Sequence, residues 1–308
     1  MKRLASLLSI FITLILCIST QAQISDSYPY PVNEITVKDS VSIAYMDTKV
    51  GNETIILIHG LGSYGPAWTH NIEALSERYR VIVPDLPGYG MSSKNLQPVS
   101  LISFAEAISE LINHLEIEKV TLAGHSMGGQ IAMTLALENP SLVEKLVLVA
   151  PAGIETFNAQ QATMLKSFVT PASVCNTSQE QSLANYRLNF YQMPESALFM
   201  IEDRFAMEKR KDFEQYCASV SGSVAAMLDE PVYDRLAEIT QPTLIIFGEN
   251  DALIPNKYLN PTLTTQQIAK TAEEMIQNSR SILFENAGHF VQFEKPAATN
   301  KAILEFLN

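Results

Sequence analysis

The chain has 308 residues, 47% hydrophobic and 18% charged, which is room for one large domain or two modest ones and too apolar for intrinsic disorder. Its 33 acidic and 21 basic residues give a net charge of −12, a field that repels polyphosphate and anionic lipid and so argues against nucleic acid or a charged bilayer surface as partner. Three Cys are too few for a disulfide scaffold.

The first 22 residues read as an export signal. Lys2 and Arg3 precede a nearly unbroken apolar run from Leu4 to Ile18. At roughly 15 residues it falls short of the ~20 that span a bilayer. Thr20-Gln21-Ala22 then offers small residues at −3 and −1 for cleavage. An uncleaved anchor is the alternative. Cys17 follows Leu16, which is too large for a lipid-attachment motif. Cleavage after Ala22 would remove two basic residues and take the charge to −14, leaving an exported chain, periplasmic or secreted, with no stable membrane insertion. Cys175 and Cys217 would remain. They could pair in an oxidising compartment, but two buried thiols are the simpler expectation.

Beyond the leader, Ile35–Val37 and Val41–Tyr45 alternate as strands do. Thr54–Ile58, Val81–Val83, Val120–Ala123, Leu146–Val149 and Thr243–Phe247 are short continuous apolar runs, as strands buried on both faces require. Ser281–Phe284 is a weaker one. Leu101, Phe104, Ile108, Leu111, Ile112 and Leu115 recur at helical spacing behind a candidate N-cap, Ser100. Ile131–Leu137 continues the alternation, which predicts an α/β fold with a mostly parallel central sheet and helices on both faces. Residues 153–235 break the rhythm. They hold helix-like stretches rich in Phe, Tyr and Met, and predict a helical insertion between core segments 23–152 and 236–308.

Gly124-His125-Ser126-Met127-Gly128 sits directly between a buried strand and a helix, the context of a nucleophile elbow. There the turn lifts the Ser126 hydroxyl off the sheet toward a helix N-terminus, where negative charge is favoured. A serine hydroxyl needs a base. His125 would point away from the attack direction, His114 and His70 fall in helices, and His59 reads as structural for its loop. His289, just past the last strand, is therefore the expected base. Glu249 and Asp251 both follow the strand Thr243–Phe247, and Asp251 has the greater reach toward His289. The Met127 amide should supply one oxyanion donor, and Leu61, in His59-Gly60-Leu61-Gly62, the other.

Together with Pro84-Asp85-Leu86-Pro87-Gly88-Tyr89-Gly90, these motifs resemble the α/β-hydrolase fold family, in its serine esterase and lipase-like branch. The resemblance implies a helical cap at 153–235 and a structural turn around Asp85 and Gly88. A serine at position 126 sets the chain apart from the dehalogenases and epoxide hydrolases of that family, which use Asp, and the His59–Ser63 loop differs from that of proline iminopeptidases. The expected activity is cleavage of a small apolar or aromatic ester by Ser126, His289 and Asp251, with no cofactor and no metal. A carbon–carbon bond hydrolase would use the same residues, with Arg187, Arg204 and Lys209 as candidates to hold its anionic substrate. A non-catalytic binding protein is the other alternative, and it would be expected to lack one of the three.

Overall fold

The computed structural model describes residues 27–308, so the expected leader lies outside the described residues. One eight-stranded sheet organises them, in spatial order β1-β2-β4-β3-β5-β6-β7-β8. The strands are β1 (Val32–Thr36), β2 (Ser42–Asp47), β3 (Thr54–Ile58), β4 (Arg80–Pro84), β5 (Val120–His125), β6 (Val143–Val149), β7 (Thr243–Gly248) and β8 (Ser279–Phe284). All pairs from β4 onward are parallel; β1 with β2 and β2 with β4 are antiparallel.

Every residue of β3, β5 and β7 is buried, because helices cover both faces of the sheet. Side chains divide by parity. Ile56, Ile58, Leu122 and Leu148 join Phe104, Ile108 and Ile131 on one face, and Ile55, Leu57, Val147 and Ile246 join Trp68, Leu75 and Ile303 on the other. The first face is closed by α2 (Leu101–His114) and α3 (Met127–Glu138), the second by α1 (Thr69–Ser76) and α10 (Pro296–Leu307). Ser100 caps α2 as expected, its hydroxyl accepting the Ser103 amide at 2.9 Å. The helix α9 (Thr265–Met275) opens on a capping box from Thr264 and Gln267 and packs on β7 and β8.

Between β6 and β7 run five further helices: α4 (Ala159–Phe168), α5 (Pro171–Cys175), α6 (Gln179–Arg187), α7 (Leu198–Met207) and α8 (Phe213–Asp229). One expectation is overturned here. Cys175 and Cys217 are not free thiols but a disulfide, with Cα atoms 5.6 Å apart and a separation of 42 positions in sequence. The bond joins the end of α5 to the first turns of α8, and α5 packs chiefly on α8. Closing a loop of this length stabilises a fold by roughly 4 kcal/mol in the chain-entropy account. The Cys175→Ser, Cys217→Ser double variant should therefore unfold at lower denaturant concentration by about that energy, read by urea titration followed by circular dichroism.

Candidate active site

The strand order reverses beside β3, since β4 lies on one side of it and β5 on the other. Ligands of such sheets gather at the strands' C-terminal ends near this reversal. The loops after β3, β5, β6 and β7, together with the one after β8, meet there around a cavity of about 890 Å³.

Ser126 lies between β5 and α3 with φ 53° and ψ −118°, a left-handed value that strains a residue bearing a side chain. Its neighbours enforce the turn. A Cβ on Gly124 would stand 2.2 Å from the Gly128 carbonyl oxygen, and one on Gly128 would stand 2.4 Å from the Ile58 carbonyl oxygen. Only bare backbones pass at these distances. The Ser126 amide donates to the Val149 carbonyl at 2.9 Å, which ties the turn to β6. Met127 is the first residue of α3, where a backbone N–H has no intrahelical acceptor. The loop carrying Leu61 rests directly on the turn: a Cβ on Gly60 would lie 3.1 Å from Ser126 Cβ. Leu61 itself lines the cavity with Ser126 and His289.

His289 and Asp251 are each 3% exposed, and His289 Nδ1 donates to Asp251 Oδ2 at 2.8 Å. The other carboxylate oxygen accepts the amides of Leu253 and Ile254 at 2.8 and 2.9 Å, which holds the group in one orientation. With its proton on Nδ1, a neutral His289 keeps the Nε2 lone pair for the cavity. Glu249, the other sequence candidate, is exposed to solvent. The loop bearing His289 is itself anchored by Glu294, whose carboxylate accepts the Gly288 amide at 2.6 Å and the Tyr191 and Gln192 amides at 3.1 and 2.9 Å.

His125 departs from its expected direction. It does not turn away from the site; its ring lies 4.8 Å from that of His289, and its Nε2 donates to the His289 carbonyl at 3.0 Å. The residue before Ser126 thus braces the backbone of His289. Burial, reinforced by the nearby His289, holds its pKa well below the usual imidazole value. Gln130 also escaped the sequence reading. It is buried on α3, lines the cavity and donates to the Met227 carbonyl at 3.1 Å. In both cases the partner lies about 100 or more residues away, and no local pattern marks it.

The structural residues behave as expected. His59 donates from Nδ1 to the Gly60 carbonyl at 2.8 Å and accepts the Leu86 amide on Nε2 at 2.9 Å, so both nitrogens are used within the loops. Asp85 accepts the amides of Gly65 and Met91, each at 2.7 Å, and the Tyr28 hydroxyl at 2.5 Å. Of the three basic candidates, Arg187 and Lys209 are exposed. Arg204 is buried beside an adjoining chamber of about 400 Å³, but it is paired with Glu208 at 3.1 Å and stacks over Phe213. The charged residues that line the cavity of Ser126 are Glu155 and Asp234, both acidic. Among the described residues no cluster of His, Cys, Asp and Glu has the makings of a metal site.

A family model for the alpha/beta hydrolase fold matches residues 53–296. The chain is 31% identical over 261 residues to the dihydrolipoyllysine-residue acetyltransferase component of an acetoin cleaving system from Pseudomonas putida, covering 83% of this chain and 64% of that relative. It is 27% identical over 286 residues to a 2-hydroxy-6-oxononadienedioate/2-hydroxy-6-oxononatrienedioate hydrolase from Cupriavidus pinatubonensis, covering 89% of this chain and 94% of that one. A solved structure of a probable hydrolytic enzyme from Pseudomonas aeruginosa superposes with a TM-score of 0.80 at 26% identity, covering 91% and 95% of the two chains.

Burial makes the site sensitive to acid. His59 is fully buried and its pKa is pushed down to about 4, whereas an unfolded imidazole titrates near 6.5. Between those values the unfolded chain binds a proton that the native one does not. The contribution is fully present above about pH 6.5 and is lost as pH falls toward 4, by roughly 3 kcal/mol. Unfolding free energy from urea titration should fall over this window, and a His59→Gln variant should show a shallower slope.

Proposed function

The chain belongs to the alpha/beta hydrolase fold family, and from that premise we propose that it hydrolyses a carboxylic ester through an acyl-enzyme formed on Ser126. The observation that carries this reading is the buried 2.8 Å His289–Asp251 bond on the same cavity as a serine held at φ 53°. His289 Nε2 takes the Ser126 proton as Oγ adds to the ester carbonyl. The Leu61 and Met127 amides hold the oxyanion, and Asp251 stabilises the imidazolium. The tetrahedral intermediate then collapses, with His289 giving its proton to the departing alcohol. Water, activated by the same imidazole, attacks the acyl-enzyme and releases the acid.

The helices over 153–235 act in this reading as a cap. Leu165 from α4 and Val224, Met227 and Leu228 from α8 supply apolar wall to the cavity, which suits an aliphatic or aromatic ester. The chain is exported in this reading. The pattern of residues 1–22 supports it, and so does the Cys175–Cys217 bond, since disulfides persist in oxidising compartments. Among the described residues no helix is long and apolar enough to cross a membrane.

A second reading is favoured by the relative from Cupriavidus pinatubonensis, whose name gives a dienedioate as substrate. Carbon–carbon cleavage of that kind of compound would use the same serine, histidine and aspartate. The lining charge distinguishes the two, because Glu155 and Asp234 would repel a dianion and, among the described residues, no Lys or Arg lines this cavity. Assayed side by side, a neutral p-nitrophenyl butyrate should be turned over and a 2-hydroxy-6-oxodienoate should not; the opposite ranking would replace the ester reading with the second one. On the ester, Ser126→Ala should lower kcat by at least about 10⁴-fold with the circular dichroism unchanged. Asp251→Asn should cost about 10⁴-fold, because it presents the wrong hydrogen-bonding partner to His289 Nδ1. Full turnover by either variant overturns the assignment.

A further inference from the structure

Two carboxylates grip the loop after β7, one from each end. Asp251 Oδ1 accepts the amides of Leu253 and Ile254. Glu155, in the segment after β6, accepts the Asn256 amide on both oxygens, at 2.8 and 3.0 Å, and Asn260 Nδ2 on Oε1 at 2.7 Å. Only Pro255, which has no N–H, separates the last amide held by Asp251 from the first held by Glu155. Two neutral bonds finish the seam: Asn260 Nδ2 to the Thr156 carbonyl at 3.2 Å and Gln161 Nε2 to the Leu259 carbonyl at 2.9 Å. The Glu155 bonds are charge-assisted and each about twice as strong as a neutral one.

A carboxylate is electrostatically awkward at this position. Partial burial pushes the Glu155 pKa up and the negative Asp251 pushes it the same way, opposed by the Asn260 and Asn256 donors and by Lys257. A glutamine there would relieve the repulsion, but it has one acceptor oxygen, and its amide nitrogen would face the Asn256 N–H. The geometry rewards the ionised side chain specifically. Glu155 also lines the cavity of Ser126, so its seam runs along the wall of the site.

Building on the reading in which Asp251 orients His289, we propose that Glu155 is a positioning residue, fixing the Asn256 end of the loop so that the Asp251 carboxylate stays aligned with His289 Nδ1. It touches no reacting atom. Its effect passes through three residues of backbone to the Ile254 amide and from there to the carboxylate. Hydrogen bonds weaken steeply with misalignment, and a displacement near 1 Å in a catalytic group can cost about 10²-fold.

The test compares Glu155→Gln with Asn260→Ala, which removes one donor and leaves the carboxylate. On p-nitrophenyl butyrate, Glu155→Gln should lower kcat about 10- to 100-fold with KM changed less than about twofold. Asn260→Ala should lose less, in the same direction. The second readout is the downfield proton resonance of His289 Nδ1–H, followed by NMR in a Ser126→Ala background where no turnover is needed. In Glu155→Gln that resonance should broaden or move upfield. A purely structural role would lower the melting temperature and leave it in place. Retention of kcat within about twofold, or an unchanged resonance at any activity, overturns the proposal. If Glu155→Gln fails to fold, the same criteria on Asn260→Ala decide. A protein that turns over no ester sinks the functional reading, and the resonance still decides the role of Glu155.

Discussion

The structure turns on the approach of three backbones at the Ser126 elbow. β3, β5 and the start of α3 meet where Gly124 and Gly128 have no side chain, and any Cβ there would lie within 2.4 Å of a carbonyl oxygen. That contact forces the positive φ at Ser126, and it also sets the height of α3 above the sheet. The loop after β3 must then lie across the turn, which places Leu61 beside the serine. Strain of 1–3 kcal/mol at such a residue persists only when its surroundings over-determine it. Here β6 helps, through the Val149 carbonyl, as does the return bond from the Ala152 amide to the Ser126 carbonyl at 3.0 Å.

Loops at the C-terminal edge lack the ladder that fixes strands, and in this protein carboxylates take its place. Asp85 gathers the amides of Gly65 and Met91, Asp251 those of Leu253 and Ile254, and Glu294 those of Gly288, Tyr191 and Gln192. Asp85 and Asp251 bind N–H groups that would otherwise be stranded in or near the protein interior, and Glu294 ties together amides of two loops at its edge. An excess of acidic residues is thus partly an internal matter. Fully buried Asp85 still meets a raised pKa, because desolvation outweighs its donors.

The buried strands were legible because a strand covered on both faces must be apolar throughout; β3 and β7 appear in the sequence as unbroken runs. Ser126 was legible because its turn demands glycine at fixed offsets, Asp251 because it follows such a run, and His289 because it follows the weaker last strand and the other four His were placed elsewhere. The antiparallel direction of β1 and β2 was not, since alternation alone carries no direction. His125 was misplaced because its orientation is set by a carbonyl 164 residues away. Glu155 fell inside a stretch read only for its helices, and its partners lie about 100 residues downstream. The cystine spans an interval that no periodicity encodes.

The five helices between β6 and β7 occupy the connection that two parallel neighbours must have in any case, because the chain leaves one strand at the top of the sheet and has to re-enter the next at the bottom. Loop closure grows only slowly more expensive with length. The crossover can therefore lengthen, shorten or exchange helices while the register of β6 on β7, and with it the spacing of the loops that carry Ser126 and Asp251, stays as it is. In the proposed ester reading, inheritance of chemistry and inheritance of selectivity are in this way uncoupled: a descendant would change its preferred molecule by rewriting a connector, without touching the loops beneath it.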